Sequence, residues 1–355
     1  MSRPTIDWGA GLNNIAVFRA LNLGDMLCAV PALRALRRTL PNAHITLIGL
    51  DSARTFVNHF RHYTDELVQF PGDPAFPEQE VYERELPRFY RDMRSRKFDL
   101  VLQMHGSGQQ SNTIVRAMEP VAWAGFVPEQ SLGDEGLLMR WPDDLPEIHR
   151  YLALLNHLGI NDTDDTLELP LHKSDHAQAN ALINQYALDL QRTVFIHPGA
   201  RLPSRRWPLE RFAAVGSSLA AKGWHITVTG SQNEDSLAHA LSHHISYPIK
   251  NLCGLTTLGM LGSLLQRGRL LICNDTGISH VAASVNLPSV VIASGSDVKR
   301  WAPLDKSVHT VLHTPVACRP CAYYECPFDH FCALGVDVDD VLDEALKHLT
   351  EHTAS

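Results

Sequence analysis

Three loops in this sequence bring together residue types that can move protons and hold phosphate. The first is Phe18-Arg19-Ala20-Leu21-Asn22-Leu23-Gly24-Asp25, directly after the first apolar run. Asp25 has two readings. As an N-cap, its carboxylate accepts backbone N–H bonds of the following helix, with Gly24 supplying a backbone shape that other residues resist. As a functional group, it projects into a cleft and serves as a general base. The second loop runs from His197-Pro198-Gly199 to Ser204-Arg205-Arg206-Trp207-Pro208. Arg205 and Arg206 either form a solvated pair or grip a diphosphate, since guanidinium groups bind phosphate oxygens two at a time. The third is Asn274-Asp275-Thr276-Gly277-Ile278-Ser279-His280. A polar turn here opens a small-residue helix, whose free N–H groups and dipole suit an anion. Thr276 adds a hydroxyl, and His280 lies one turn further on the same side.

Weaker signals accompany these. Glu234, in Gly230-Ser231-Gln232-Asn233-Glu234, either accepts ribose hydroxyls or simply charges a helix N-terminus. His105 and Ser107, in His105-Gly106-Ser107-Gly108, either face an acceptor or belong to glycine-rich turn chemistry. Arg88, Arg91 and Arg94 share one helical face, which is either solvated or touches anionic groups. Cys318, Cys321, Cys326 and Cys332 crowd a short segment whose C-x2-C opening is typical of metal knuckles. They read as a structural Fe or Zn site, as reduced packing residues, or as disulfides, which a reducing compartment disfavours. Cys28, Cys253 and Cys273 lie in apolar runs and read as core.

The elements that position these loops alternate along the chain. Strands are expected at residues 15–18, 44–50, 66–70, 98–104 and 121–126. Helices are expected at 26–40, 78–94 and 147–158, the last closed by Gly159. The acidic, polar stretch Asn161-Asp162-Thr163-Asp164-Asp165-Thr166 marks a boundary. The pattern then restarts, with strands at 193–197, 225–229, 269–273 and 289–292. Helices follow at 209–222, 235–243, 258–267 and 277–285. At 355 residues, two domains are the default. The expected division is 1–165 and 166–355, the second ending in the cysteine segment 318–332 and a terminal helix. Each is a doubly wound α/β unit, facing the other across a cleft with ligands beyond the strands' carboxyl ends. The net charge of −8 argues against a nucleic-acid partner. The first fourteen residues lack a signal-type apolar segment, and no stretch is long enough to span a bilayer. A cytoplasmic protein is expected, either free or at the cytoplasmic face of the inner membrane.

Asn22-Leu23-Gly24-Asp25 with Pro31-Ala32-Leu33-Arg34 resembles the start of the bacterial ADP-heptose:lipopolysaccharide heptosyltransferases, glycosyltransferase family 9. His197-Pro198-Gly199 with Arg206-Trp207-Pro208, and Asn274-Asp275-Thr276-Gly277 with His280, are similar to that family's second domain. The resemblance runs from residue 15 to 334. It implies a GT-B fold with an N-terminal acceptor domain and a C-terminal nucleotide-sugar domain. It also implies inverting transfer of heptose to an acceptor hydroxyl of lipopolysaccharide core or a related glycoconjugate, with no cofactor required for catalysis. By position, Asp25 matches the acid–base residue, and Arg205 falls where the family often has a phosphate-binding lysine. Glu234 matches the ribose carboxylate and Leu255 the apolar residue against adenine. Asp275 matches a residue near the donor sugar, with Thr276, Gly277 and His280 around the diphosphate. Family members often carry cysteines at 318–332, and a protein-modifying branch holds iron through them. Competing readings are another nucleotide-sugar donor or a protein acceptor, a nucleotide-sugar epimerase on the same fold, or a non-catalytic sensor.

Overall fold

The computed structural model describes residues 6–9, 11–76, 80–130 and 137–351. The chain forms two compact units, residues 1–167 and 168–355.

The first unit holds six parallel strands: β1 Asn14–Phe18, β2 His44–Gly49, β3 Glu66–Gln69, β4 Leu100–Gln103, β5 Ala122–Val127 and β6 Leu138–Arg140. Their order is β3-β2-β1-β4-β5-β6. β1 is the hinge of the sheet, with Ile15 beside Ile45 on one side and Leu100 on the other. Ile15, Ala16, Val17 and Phe18 are fully buried, as a central parallel strand covered on both faces requires. The helix expected at 26–40 is two pieces, Leu23–Leu27 and Val30–Thr39, the second with proline in its first turn. The helix expected at 78–94 is Leu86–Arg96, preceded by a 3-10 turn at Glu83–Glu85; residues 78 and 79 lie outside the described residues. Glu147–His157 ends before Gly159, which takes a φ of +98°.

The second unit repeats the plan with β7 Thr193–His197, β8 His225–Val228, β9 Ile249–Asn251, β10 Leu270–Asn274, β11 Ser289–Ile292 and β12 His309–Leu312. Their order is β12-β11-β10-β7-β8-β9, all parallel. The crossover helices Leu209–Ala221, Asp235–His244, Leu258–Leu265 and Gly277–Ser284 fall where the apolar periodicity places them. One core joins Val194, Ile196, Trp207, Phe212, Leu241, Ile272 and Val290 to Val341, Ala345 and Leu349 of the helix Val338–Glu351. Each such aliphatic side chain contributes about 1.5–3 kcal/mol when fully buried. Both sheets therefore have the doubly wound order in which direction reverses at an inner strand pair, β1/β4 and β7/β10. Ligands bind beyond the carboxyl ends of such pairs.

Candidate functional site

At the β1/β4 switch point, the loop after Phe18 carries Asp25 and the loop after Gln103 carries His105. Asn22, not Asp25, is the N-cap residue of the helix Leu23–Leu27, and Asp25 sits in its first turn, half-buried. Gly24 is buried inside that helix and is not among the glycines of positive φ, so its special conformational freedom is not used. Both corrections have one cause. The helix begins earlier than the apolar periodicity suggests, which moves the aspartate one turn inward.

Arg19 holds the two loops together, and sequence reasoning passed over it. Its side chain is fully buried. Its Nε and Nη2 donate to the Asp25 carbonyl and its Nη1 donates to the Met104 carbonyl at 2.6 Å. Its guanidinium lies 4.3 Å over the Tyr151 ring and 3.6 Å from Glu147 Oε1. Tyr151 also donates to Glu147, and Arg150 lies 3.6 Å from its other oxygen. Burial works against the Arg19 charge, but Tyr151, Glu147 and Asp25 outweigh it and raise its pKa. Removing one partner of such a buried pair costs about 3–5 kcal/mol. The available signal was a lone arginine at the end of an apolar strand.

His105 is buried, stacked 4.1 Å from Phe76, and its Nδ1 accepts the Ala20 N–H at 3.2 Å. The ring proton is thus on Nε2. Burial, aided by the Arg19 charge, pushes its pKa down to about 3, so it is neutral at working pH. Buried Gln103 and Ser111 both donate to the His105 carbonyl, and Gln103 Oε1 accepts the Phe126 N–H at 3.0 Å. Ser107 is half-buried in this loop, between Gly106 and Gly108 at φ of +61° and +86°.

The β7/β10 switch point gathers the second group. Asn274, fully buried, is its staple: Oδ1 accepts the Trp207 N–H at 2.8 Å and Nδ2 donates to the Pro198 carbonyl at 2.8 Å. One side chain thus ties the loops after β7 to the end of β10. His197 Nδ1 lies 3.2 Å from Thr229 Oγ1, and burial lowers its pKa against the opposing effect of Glu234. Glu234 Oε2 accepts the Ser231 N–H at 2.7 Å and the Ser231 hydroxyl at 2.8 Å, closing a capping box. Its Oε1 lies over Gly199, where a Cβ would come within 1.8 Å of it. Leu255, just beyond β9, is 41% exposed. Carboxyl ends of β9, β8, β7 and β10, neighbours in that order, thus carry Leu255, Glu234, His197 and Asp275.

Thr276 is the N-cap residue of the helix Gly277–Ser284 and makes no side-chain cap bond. Its hydroxyl is buried with no hydrogen-bond partner among the described residues. Buried His280 lies one turn on, its ring 6.4 Å from that of Trp301. Asp275 accepts a hydrogen bond from Ser296. Burial raises its pKa, while Ser296, Arg205 and Arg319 act the other way. Arg206 Nε donates to the Ala200 carbonyl at 3.0 Å, folding the loop on itself.

The four clustered cysteines divide. Cys321 Sγ donates to Ser204 Oγ at 3.6 Å, while Cys318 and Cys326 are near enough to Cys332 to oppose its ionisation, adding to the effect of burial. No three of the four sulfurs lie within 4.8 Å of one another among the described residues, and none forms a disulfide. The arrangement does not fit a single four-thiolate ion site, because the four sulfurs are not gathered. On the basic helix, Arg94 pairs with Glu119 at 3.0 Å, and Arg88 and Arg91 are exposed. Among the described residues no helix is long and apolar enough to cross a membrane.

Two doubly wound sheets, each with polar loops at its switch point, define a protein of the two-Rossmann-domain class found in GT-B glycosyltransferases. The family model for glycosyltransferase family 9 (heptosyltransferase) matches residues 86–332, and the chain belongs to this family. It is 24% identical over 303 residues to lipopolysaccharide heptosyltransferase 2 of Escherichia coli strain K12, covering 81% of this chain and 85% of that one. The glycosyl transferase family 9 structure from Veillonella parvula DSM 2008 shares its fold at a TM-score of 0.77 and 22% identity, over 96% of this chain and 98% of that one. The structure of E. coli ADP-heptose lps heptosyltransferase II does so at 0.71 and 20% identity, over 96% and 100%.

Proposed function

We propose that this glycosyltransferase moves heptose from ADP-heptose to a sugar hydroxyl of lipopolysaccharide core or a related glycan, with inversion at the anomeric carbon. One observation carries the donor half of this reading. Among the described residues the buried Thr276 hydroxyl lacks a partner, at the N-terminus of an eight-residue helix beyond the β7/β10 switch point. A buried hydroxyl without a partner is costly, and a diphosphate oxygen would satisfy it together with the free helix N–H groups. Glu234 would take the ribose hydroxyls, Leu255 the adenine face, and Asp275 the sugar, with His197, Arg205, Arg206, Gly277 and His280 around the diphosphate. The heptosyltransferase names of the relatives support ADP-heptose over other donors.

In this reading Asp25 takes the proton of the acceptor hydroxyl as its oxygen attacks the anomeric carbon. The bond from that carbon to the diphosphate oxygen breaks, and the electron pair leaves with ADP. Inversion follows from a single displacement on the opposite face. The developing charge on ADP is stabilised by Thr276, the Gly277 amide and Arg205, so the residues themselves supply what a catalytic metal would. Gly24, His105 and Ser107 belong to the acceptor side. Any Fe or Zn on Cys318, Cys321, Cys326 and Cys332 would be structural, and the sulfurs would have to draw closer than they lie here to hold it.

Asp25→Asn tests this. Turnover should fall by about 10²–10⁴-fold, the usual contribution of a positioned general base. ADP affinity should stay near normal, since the donor contacts lie in the second unit. Because Asn22, not Asp25, holds the N-cap position, melting should shift by the loss of a first-turn charge, about 0.3–1 kcal/mol, and of that charge's attraction for Arg19. Near-normal transfer by a normally folded variant would remove Asp25 from catalysis.

A further inference from the structure

Ser204, the residue before Arg205, is 3% exposed, and its polar groups are bound to the cysteine-rich segment. Its N–H donates to the Tyr324 carbonyl at 3.1 Å and its hydroxyl to the Tyr323 carbonyl at 2.6 Å. Its own carbonyl accepts from His330 Nε2 at 2.8 Å. The next side chain is held by the same segment: Arg205 Nη2 donates to the Cys321 carbonyl at 2.6 Å. The segment is in turn fixed to the loop after β11. Cys321 N–H donates to the Gly295 carbonyl at 2.6 Å, and a Cβ on Gly295 would lie 2.6 Å from Cys321 Cβ, so only glycine admits this approach. Arg319 donates to the Ser296 carbonyl at 2.6 Å and to those of Ala293 and Ser294 at 2.8 and 3.0 Å. Ser296 is the residue that holds Asp275.

We propose that the cysteine-rich segment is the mount that fixes the Arg205 guanidinium for the donor diphosphate, with Ser204 and His330 as positioning residues. This rests on the reading of Arg205 as a diphosphate contact. Arg205 stands on a three-residue 3-10 turn, Pro203–Arg205, which by itself does little to orient so long a side chain. A guanidinium is planar, so holding one nitrogen on a fixed carbonyl sets the plane in which the others can meet phosphate oxygens. The Cys321 carbonyl supplies that fixed point, and Ser204 ties the turn to the peptide that bears it. Ordering the side chain before the ligand arrives spares the entropy of ordering it on binding, a gain of roughly 2- to 12-fold in affinity.

The full-length protein is titrated with ADP and, separately, with adenosine. Wild type is compared with Ser204→Ala, His330→Ala, Arg205→Ala and the double variant Ser204→Ala/Arg205→Ala. Ser204→Ala and His330→Ala should each weaken ADP by roughly 2- to 12-fold while leaving adenosine unchanged. The double variant should bind ADP no more weakly than Arg205→Ala alone, since the mount acts only through the guanidinium. Equal weakening of ADP and adenosine, or full additivity in the double variant, would overturn the proposal and leave general support of the fold. Should Ser204→Ala fail to fold, His330→Ala and its double with Arg205→Ala carry the same comparison. If Arg205→Ala weakens ADP while Ser204→Ala and His330→Ala do not, the mount alone fails. An Arg205→Ala protein with unchanged ADP affinity would instead remove the diphosphate reading beneath it.

Discussion

Gly199 and Glu234 illustrate how a single residue is fixed by one far away in sequence. Oε1 of the glutamate occupies the space a side chain at 199 would need. Gly199→Ala must therefore push Glu234 off its capping position, against its bonds to Ser231. Overpacking of this kind costs about 1–3 kcal/mol, and the ribose contact proposed for Glu234 should weaken with it. We expect a lower melting temperature, together with weaker binding of both ADP and adenosine. Normal melting with normal affinity would mean that Glu234 moves aside freely and does not hold the ribose. The His-Pro-Gly loop was legible in the sequence as a strand-to-helix turn. The reason for its glycine was not, because no local pattern links position 199 to a carboxylate packed against it from the next strand's loop. The stapling roles of Arg19 and Asn274 were illegible for the same reason. Each is one polar residue in or beside an apolar strand, and its worth lies in partners that only the sheet brings near.

At the scale of elements, the long apolar strands and the second unit's crossover helices were read close to their observed limits. Their periodicity comes from burial on the sheet faces. The short edge strands β6, β9 and β12 escaped, since three or four residues at a sheet edge carry little alternation, and so did the helix Lys173–Tyr186, which buries only Asp175, Ala179 and Leu182. β12 and the helix Val338–Glu351 are joined by a partly buried polar cluster. Thr310 Oγ1 donates to Glu344 Oε2 at 3.0 Å and lies 2.9 Å from His348 Nε2, while His309 Nδ1 lies 2.8 Å from Ser289 Oγ. Burial pushes the His309 pKa down to about 4. Its folded value lies below the unfolded one near 6.5, so the unfolded chain binds the proton first as pH falls. Stability should therefore drop between about pH 6.5 and pH 4, with His309 contributing about 2 kcal/mol of that loss by pH 5. His105, pushed down to about 3, adds to the same acid limb. Urea titrations of wild type and His309→Gln at pH 7 and pH 5 would check this. An equal acid loss in both proteins would show that His309 is not buried in its neutral form.

The whole molecule is built from two sheets of one strand order, and in each the inner pair joins distant parts of its unit. Ile15 lies beside Leu100, and Leu270 beside Val194. The loops that hold Asp25, His105, Thr276 and the Arg205 turn all leave from these inner pairs. Pairings between strands so far apart must bear loop-closure entropy before any contact rewards them, and parallel sheets of this kind form slowly. Local helices, by contrast, relax within about a microsecond. In refolding from urea, far-UV circular dichroism should recover much of its amplitude in an early phase, and ADP binding should return only with the slowest one. Recovery of ADP binding in the first phase would show that the phosphate loop is set by local structure. On this expectation the switch-point loops are set by the last pairs to close, which gives the protein an order of maturation. A chain caught part-way carries every motif in its sequence and yet has not brought the loops that bear them together.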